Sequence, residues 1–198
     1  IQEAEYHIAG IAYHLRAADA EEHLSHFLLV HPYSPYIDNA RLMLASLMYE
    51  NKSYNRAIAY SKDIHEKNLN ERDLAEKIFI EGYSYFQIKN YPQALQSFSR
   101  LKQMDTRYNT TASYYYGYTH YIQGNFDEAL PDFLNLENTP EYSHIVPYYI
   151  IQIYYNKKEY GQIMNRAEDL LAKEPNSKNN AELYRIVGEI AFAQKSYE

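Results

Sequence analysis

The chain has 198 residues, a net charge of −7, 46% apolar residues and 24 tyrosines, with no tryptophan and no cysteine. Without cysteine there are no disulfides and no cysteine-ligated metal. The mild acidity keeps a protein soluble and argues against a nucleic-acid footprint, which needs a clustered basic face. The longest apolar stretch, Ile145 to Tyr155, is interrupted by Pro147 and Gln152 and falls well short of the ~20 residues that span a bilayer.

Apolar residues recur at three- and four-residue steps, a 3.6 period. In chain order the pattern predicts helices over 2–14 and 18–30, 38–50 and 54–67, 74–88 and 92–103, 110–122 and 126–136, 144–156 and 160–172, then a lone helix over 180–194. No strand pattern competes. Pro92 suits a first helical turn, where its missing N–H costs nothing. Asn90 and Gly124-Asn125 suit tight connections. Pro32, Pro140 and Pro175 follow helix ends, as stop signals do.

A turn phrase separates the two helices of each pair. It reads Lys52-Ser53-Tyr54-Asn55-Arg56-Ala57, Lys89-Asn90-Tyr91-Pro92-Gln93-Ala94 and Gly124-Asn125-Phe126-Asp127-Glu128-Ala129. It weakens at Lys158 to Ile163 and returns as Lys195-Ser196-Tyr197-Glu198. Its aromatic residues lie 37, 35, 34 and 37 residues apart. A period in the mid-thirties marks a helical hairpin repeated along a solenoid. Such units bury their apolar faces by stacking and present an extended surface.

The repeats fall at about 1–36, 37–73, 74–109, 110–143 and 144–179, with 180–198 an incomplete sixth. They form one solenoid domain, expected to be a piece of a longer array because the sequence starts at Ile1 and stops just after Tyr197. Pairing of copies through that unfinished end would be a product of the cut.

Gly82, Gly117 and Gly188 sit inside first helices, with Ala45 in the equivalent place. A mid-helix glycine costs about 1 kcal/mol relative to alanine, so three at matching places predict close helix approach. Ala57, Ala94 and Ala129 are the facing small residues, with Phe98 and Phe133 four residues after the last two.

Gly82, Tyr85, Ala94 and Phe98, and Gly117, Ala129, Phe133 and Leu136, resemble the tetratricopeptide repeat (TPR), although His120 stands where the second copy would carry tyrosine. Ala45, Ala57 and Ile64 form a weaker copy; Ile151, Tyr154, Ile163 and Pro175 form a degenerate one. The resemblance implies an all-α fold, an α-α superhelix (right-handed solenoid) of about five and a half TPR-like hairpins. His31-Pro32-Tyr33-Ser34-Pro35-Tyr36, followed by Ala40, is similar to junctions in bacterial envelope TPR proteins. Among these are outer-membrane assembly lipoproteins and periplasmic coordinators of envelope constriction. The Tyr-, Asn- and Lys-rich style resembles long repeat proteins of Bacteroidetes-type bacteria. A periplasmic or envelope location is implied, with a cytoplasmic one as the alternative.

In that family the first helices line the concave face. Ligand-facing residues fall three before, one after and four after the small residue, a single helical stripe. This places Phe79, Tyr83 and Phe86, Tyr114, Tyr118 and Tyr121, Tyr148, Gln152 and Tyr155, and Tyr49 beside Leu42 and Ser46, in an aromatic groove. Aromatic side chains give large contact area for little lost entropy, and tyrosine is enriched at binding hot spots. A protein or peptide segment is the expected partner. Lysine, arginine and asparagine, which capture a terminal carboxylate, are missing from these places, so no carboxylate clamp is expected. The alternatives are a structural spacer with a self-filled groove and, more remotely, a glycan-binding module.

Nothing points to an enzyme. There is no thiol, no glycine-rich phosphate loop and no G-x-S-x-G. His23 and His26 lie one helical turn apart without an obvious third ligand, and H-E-x-x-H does not occur. No metal, cofactor, nucleic acid or membrane insertion is expected.

Overall fold

The computed structural model describes residues 1–195, so the fifth turn aromatic, Tyr197, lies outside the described residues. Among them every regular element is helical: α1 (Gln2–His14), α2 (Ala20–Val30), α3 (Ile37–Glu50), α4 (Tyr54–Lys62), α5 (Glu71–Gln87), α6 (Tyr91–Lys102), α7 (Asn109–Ile122), α8 (Phe126–Leu136), α9 (Val146–Asn156), α10 (Met164–Lys173) and α11 (Asn180–Lys195). Two compact units result, Ile1–Ala112 and Ser113–Glu198, their boundary falling within α7.

The connection inside each hairpin has one recurring geometry. Arg16, Lys52, Lys89, Gly124 and Lys158 all adopt positive φ, between 53° and 77°. The following N–H donates five residues back: Ala17 to the Ala12 carbonyl, Ser53 to Met48, Asn90 to Tyr85, Asn125 to His120 and Glu159 to Tyr154, at 2.8–2.9 Å. This is the Schellman closure of a helix C-terminus. The turn phrase is therefore a helix stop followed at once by a helix start.

In the first unit α1 packs on α2, α3 on α4 and α5 on α6; α2 also packs on α3 and α4 on α5. Gly82 permits the α5–α6 approach. A Cβ there would lie 2.9 Å from Phe98 Cε1 and 3.0 Å from Ser97 Cβ. Phe98 and Ala94 are fully buried beside it.

Helix α4 ends at Lys62 rather than reaching 67. Ile64 turns inward instead (6% exposed), and residues 66–68 form a short 3-10 turn. That turn places Glu66 against Lys77 of α5 (3.2 Å) and Arg100 of α6 (2.6 and 2.8 Å). Asp38, 1% exposed, accepts bonds from Asn68 (2.7 Å) and Arg41 (3.0 Å). Burial pushes the Asp38 carboxyl up, but bonds from Asn68, His65 and Arg41 outweigh this and hold it below the ordinary value. An ionic network, not a continued helix, closes this junction.

In the second unit a Cβ on Gly117 would lie 3.2 Å from Asp132 Cβ and 3.3 Å from Phe133 Cε1, so α7 and α8 also approach closely. Helix α9 packs on α8 and α10, and α11 on α9 and α10. Ile151 and Ile163, in the places glycine and alanine take elsewhere, are buried in one cluster and fill that contact by volume. The α10 helix begins at Met164, after a 3-10 turn over Tyr160–Gln162. Gly188 departs from expectation: no described atom lies within 4 Å of a Cβ built there.

Candidate functional site

The left-handed turn residue sets the phase of the first helices α1, α3, α5, α7 and α9. It follows Ala45, Gly82, Gly117 and Ile151 by seven positions, so Arg16 assigns the equivalent place in α1 to Ala9. Ala9 is fully buried. The first helix thus contributes Tyr6 and Tyr13 to the face that sequence reasoning placed on later helices only. The available signal was the seven-residue aromatic spacing of Tyr6/Tyr13, repeated at Phe79/Phe86, Tyr114/Tyr121 and Tyr148/Tyr155.

Rings three before the small residue act as links between repeats. Each reaches the junction that opens the next first helix. Tyr6 stacks on Tyr36 (centroids 4.6 Å, 12° between planes), Phe79 on Tyr108 (4.7 Å, 18°) and Tyr114 on Tyr142 (4.4 Å, 11°). Tyr148 instead donates its hydroxyl to Asn180 Oδ1 at 2.9 Å. Tyr148 is a correction to the sequence reading: at 5% exposed it is a core residue and offers no binding surface.

Residues four after the small residue reach sideways to the residue one after it on the next first helix. In the first unit Tyr13 donates to Ser46 Oγ at 2.9 Å, and Tyr49 sets its ring edge-on to Tyr83 at 5.3 Å. In the second unit the Tyr121 hydroxyl donates to the Gln152 side-chain carbonyl and the Tyr155 hydroxyl to Glu189. Arg185 lies 5.5 Å from the Tyr155 ring.

The expected residues therefore separate into two local groups. In the first unit Tyr49, Phe79, Tyr83 and Phe86 form one ring cluster, extended by Tyr54 and Tyr91. In the second, Tyr114, Tyr118 and Tyr121 run along α7 with Tyr149 against the last two. Gln152 and Tyr155 continue along α9. All of these are half-buried rather than sealed. Burial, reinforced by neighbouring tyrosines, raises the Tyr49 and Tyr121 hydroxyls to about 12 and pushes Tyr114 up further. The rings thus remain neutral hydrogen-bonding groups over the physiological range.

The first unit also holds an open cavity of about 490 Å³ over α1, α3 and α5. Tyr6, Tyr13, Leu42 and Met43 supply its ring and apolar lining, while Asn39, Arg72, Asp73, Glu76 and Arg107 bring polar groups. Arg107 is held 3.5 Å from Glu76 and bonded to the Tyr108 hydroxyl. A concave lining with a few convergent polar groups is the usual character of a ligand site. Sequence reasoning missed it because its charged members lie a turn or more N-terminal to the expected stripe.

Paired helices, a small residue at most crossings and recurrent Schellman turns define an all-α protein of the tetratricopeptide class. Residues 12–112, just over half of the 198, match the family model described as YfiO, outer membrane lipoprotein. The chain belongs to that family, and the matched segment lies within the first unit.

Solved structures agree on the fold. YrrB, described as a TPR protein with an unusual peptide-binding site, matches with a TM-score of 0.75 at 13% identity, over 91% of this chain and 90% of that one. A tetratricopeptide repeat protein from Parabacteroides merdae ATCC 43184 matches at 0.71 and 16%, over 98% and 76%. MamA MSR-1 C2 matches at 0.60 and 13%, over 77% and 88%. No curated protein sequence matches the chain.

Proposed function

We propose that this chain is a non-catalytic scaffold of the bacterial cell envelope, acting in the periplasm, that holds a peptide or protein segment on its first-helix face. The observation that carries the reading is the half-exposed ring cluster Tyr49, Phe79, Tyr83 and Phe86 in the same unit as the Tyr6/Tyr13 cavity. Rings of this kind combine large contact area with hydrogen-bonding tips. The cavity's mixed polar lining suits main-chain amides better than a bare apolar ligand. The family supports an envelope location, since its members are described as outer membrane lipoproteins. The peptide-binding description of YrrB belongs to that protein and lends the reading a precedent on the same fold.

A spacer with a self-filled groove is the second reading. It is favoured by the engagement of Tyr114, Tyr121 and Tyr155 in links between helices. Selection from a random peptide library separates the two. Peptides that bind the chain should lose about tenfold or more in affinity to a Tyr83→Ala, Phe86→Ala variant of unchanged helix content. If selection yields no binder, or binders ignore both changes, the groove reading fails.

A further inference from the structure

The polar lining of the first-unit cavity divides into groups that are engaged and groups that are not. Tyr13 donates its hydroxyl proton to Ser46. Asp73 accepts a bond from the Asn70 side-chain amide at 2.8 Å, and Asn70 caps α5 by accepting the Asp73 N–H at 2.9 Å. Glu76 and Arg107 face each other at 3.5 Å, and Arg107 also donates to the Tyr108 hydroxyl. Three groups remain. The Tyr6 hydroxyl, the Asn39 amide and the Arg72 guanidinium make no hydrogen bond or ion pair among the described residues, although all three line the one cavity.

Each of the three has a definite chemical demand. A guanidinium carries donors only, keeps its charge, and its planar fork matches the two oxygens of a carboxylate. A side-chain amide offers a donor and an acceptor together, which suits the C=O and N–H of an extended main chain. The phenol adds one further hydrogen bond. The charges point the same way. Glu76 is balanced by Arg107, and Asp73 is turned to its cap amide. An incoming cation would meet Arg72 with no unengaged carboxylate to hold it, whereas an incoming carboxylate meets a free guanidinium. The cavity is also continuous with the ring cluster. Tyr108, held by Arg107, stacks on Phe79, which is one of the cluster rings.

We infer that this cavity reads a carboxylate carried by the bound peptide: the carboxylate accepts paired hydrogen bonds from Arg72, while Asn39 and Tyr6 hold the main chain beside it. The inference rests on the groove reading proposed above and adds what that reading leaves open, the charge of the partner at one fixed position. An Asp or Glu side chain and a chain terminus share this chemistry, and the experiment separates them.

The test screens the full chain against synthetic random peptides, prepared both as free acids and with amidated C-termini. Among binders that depend on Tyr83 and Phe86, one carboxylate should recur, and neutralising it (Glu→Gln, Asp→Asn or amidation) should weaken binding about tenfold. Arg72→Gln should weaken the same peptides about tenfold and make them indifferent to that neutralisation. Arg72 is exposed, so helix content should not change. Arg72→Glu should recover binding when the peptide's acidic residue is exchanged for lysine. A carboxylate dependence that survives amidation assigns the group to a side chain; one abolished by amidation assigns it to the chain terminus. Ring-dependent binders that carry no common carboxylate, or that bind wild type and Arg72→Gln alike, overturn the inference and leave the groove reading standing. If no ring-dependent binder exists, the groove reading falls and this inference falls with it.

Discussion

Helix α5 of the first unit and helix α9 of the second fill the same repeat position with opposite chemistry. In the first, the side of α5 that meets α4 carries Lys77 and Glu81, joined by Glu66 from the connecting turn and Arg100 from α6. In the second, the side of α9 that meets α8 carries Val146, Ile150 and Ile153, each fully buried. The hairpin geometry tolerates either because the turn and the small-residue crossing fix the helices, while the flanking positions need only be satisfied. What differs is sensitivity. An ionic network around the buried Lys77 amine is demanding once that amine loses a partner; an apolar seam responds to lost volume.

The crossing itself gives the largest expected effects. Phe98→Ala in the first unit and Phe133→Ala in the second each remove a fully buried ring and should cost about 3–5 kcal/mol. The glycine facing each ring sharpens the comparison. Gly82→Ala places a Cβ 2.9 Å from Phe98 Cε1 and should destabilise by about 1–3 kcal/mol through overpacking. Gly117→Ala, whose nearest contact would be Asp132 Cβ at 3.2 Å, should cost less. Gly188→Ala meets no described atom within 4 Å and should stabilise by about 1 kcal/mol, the helix-propensity gain alone. Urea denaturation of the three alanine variants checks the order. Equal losses at Gly82 and Gly188 would refute the close-approach account.

Acid separates these two seams next. The Arg100 guanidinium, helped by Lys77 against the opposing effect of burial, holds the Glu66 carboxyl down from 4.5 to about 2. A pKa lowered in the folded state contributes stability that is present above 4.5 and is lost as pH falls from there towards 2. The seam at Val146, Ile150 and Ile153 has no titrating group and should give no such limb. Glu66→Gln should therefore destabilise near neutrality and lose its penalty progressively below pH 4.5, whereas Ile150→Val should cost the same at both ends. A pH series of unfolding midpoints reads this directly. A Glu66→Gln penalty independent of pH would sink the ionic account.

The same contrast explains what the sequence made legible. Helix positions were readable because a helix stop and start are written together in each turn phrase. The close approach at Gly82 and Gly117 was readable because a mid-helix glycine has few other uses. The early stop of α4 was not. Its cause is Glu66 meeting Lys77 and Arg100, 11 and 34 residues away, and no local pattern carries that information. The phase of α1 was not readable from its own residues, because it is the turn at Arg16 that selects Ala9. The roles of Phe79, Tyr114 and Tyr148 were hidden for a related reason. Their partners Tyr108, Tyr142 and Asn180 sit in or beside junctions 28–32 residues on, so a ring that reads as ligand-facing along its own helix is spoken for by the next repeat.

The smallest expected effect tests the turn on which that phase rests. Gly124 closes α7 with φ of 77°, whereas Lys52 and Lys89 close α3 and α5 with φ of 58° and 62°. A side chain in this left-handed region crowds the carbonyl and costs roughly 1 kcal/mol or more; glycine escapes that cost but leaves a freer unfolded chain. The two terms oppose, so Lys52→Gly and Lys89→Gly should stabilise by only a few tenths to about 1 kcal/mol. Gly124→Ala gains chain stiffness but meets the steric penalty, and should destabilise by about 1 kcal/mol. Opposite signs at equivalent positions are the diagnostic. Were Lys89→Gly to destabilise, the lysine stem would have to contribute packing that outweighs its backbone strain, and the turn could no longer be read as set by backbone conformation alone.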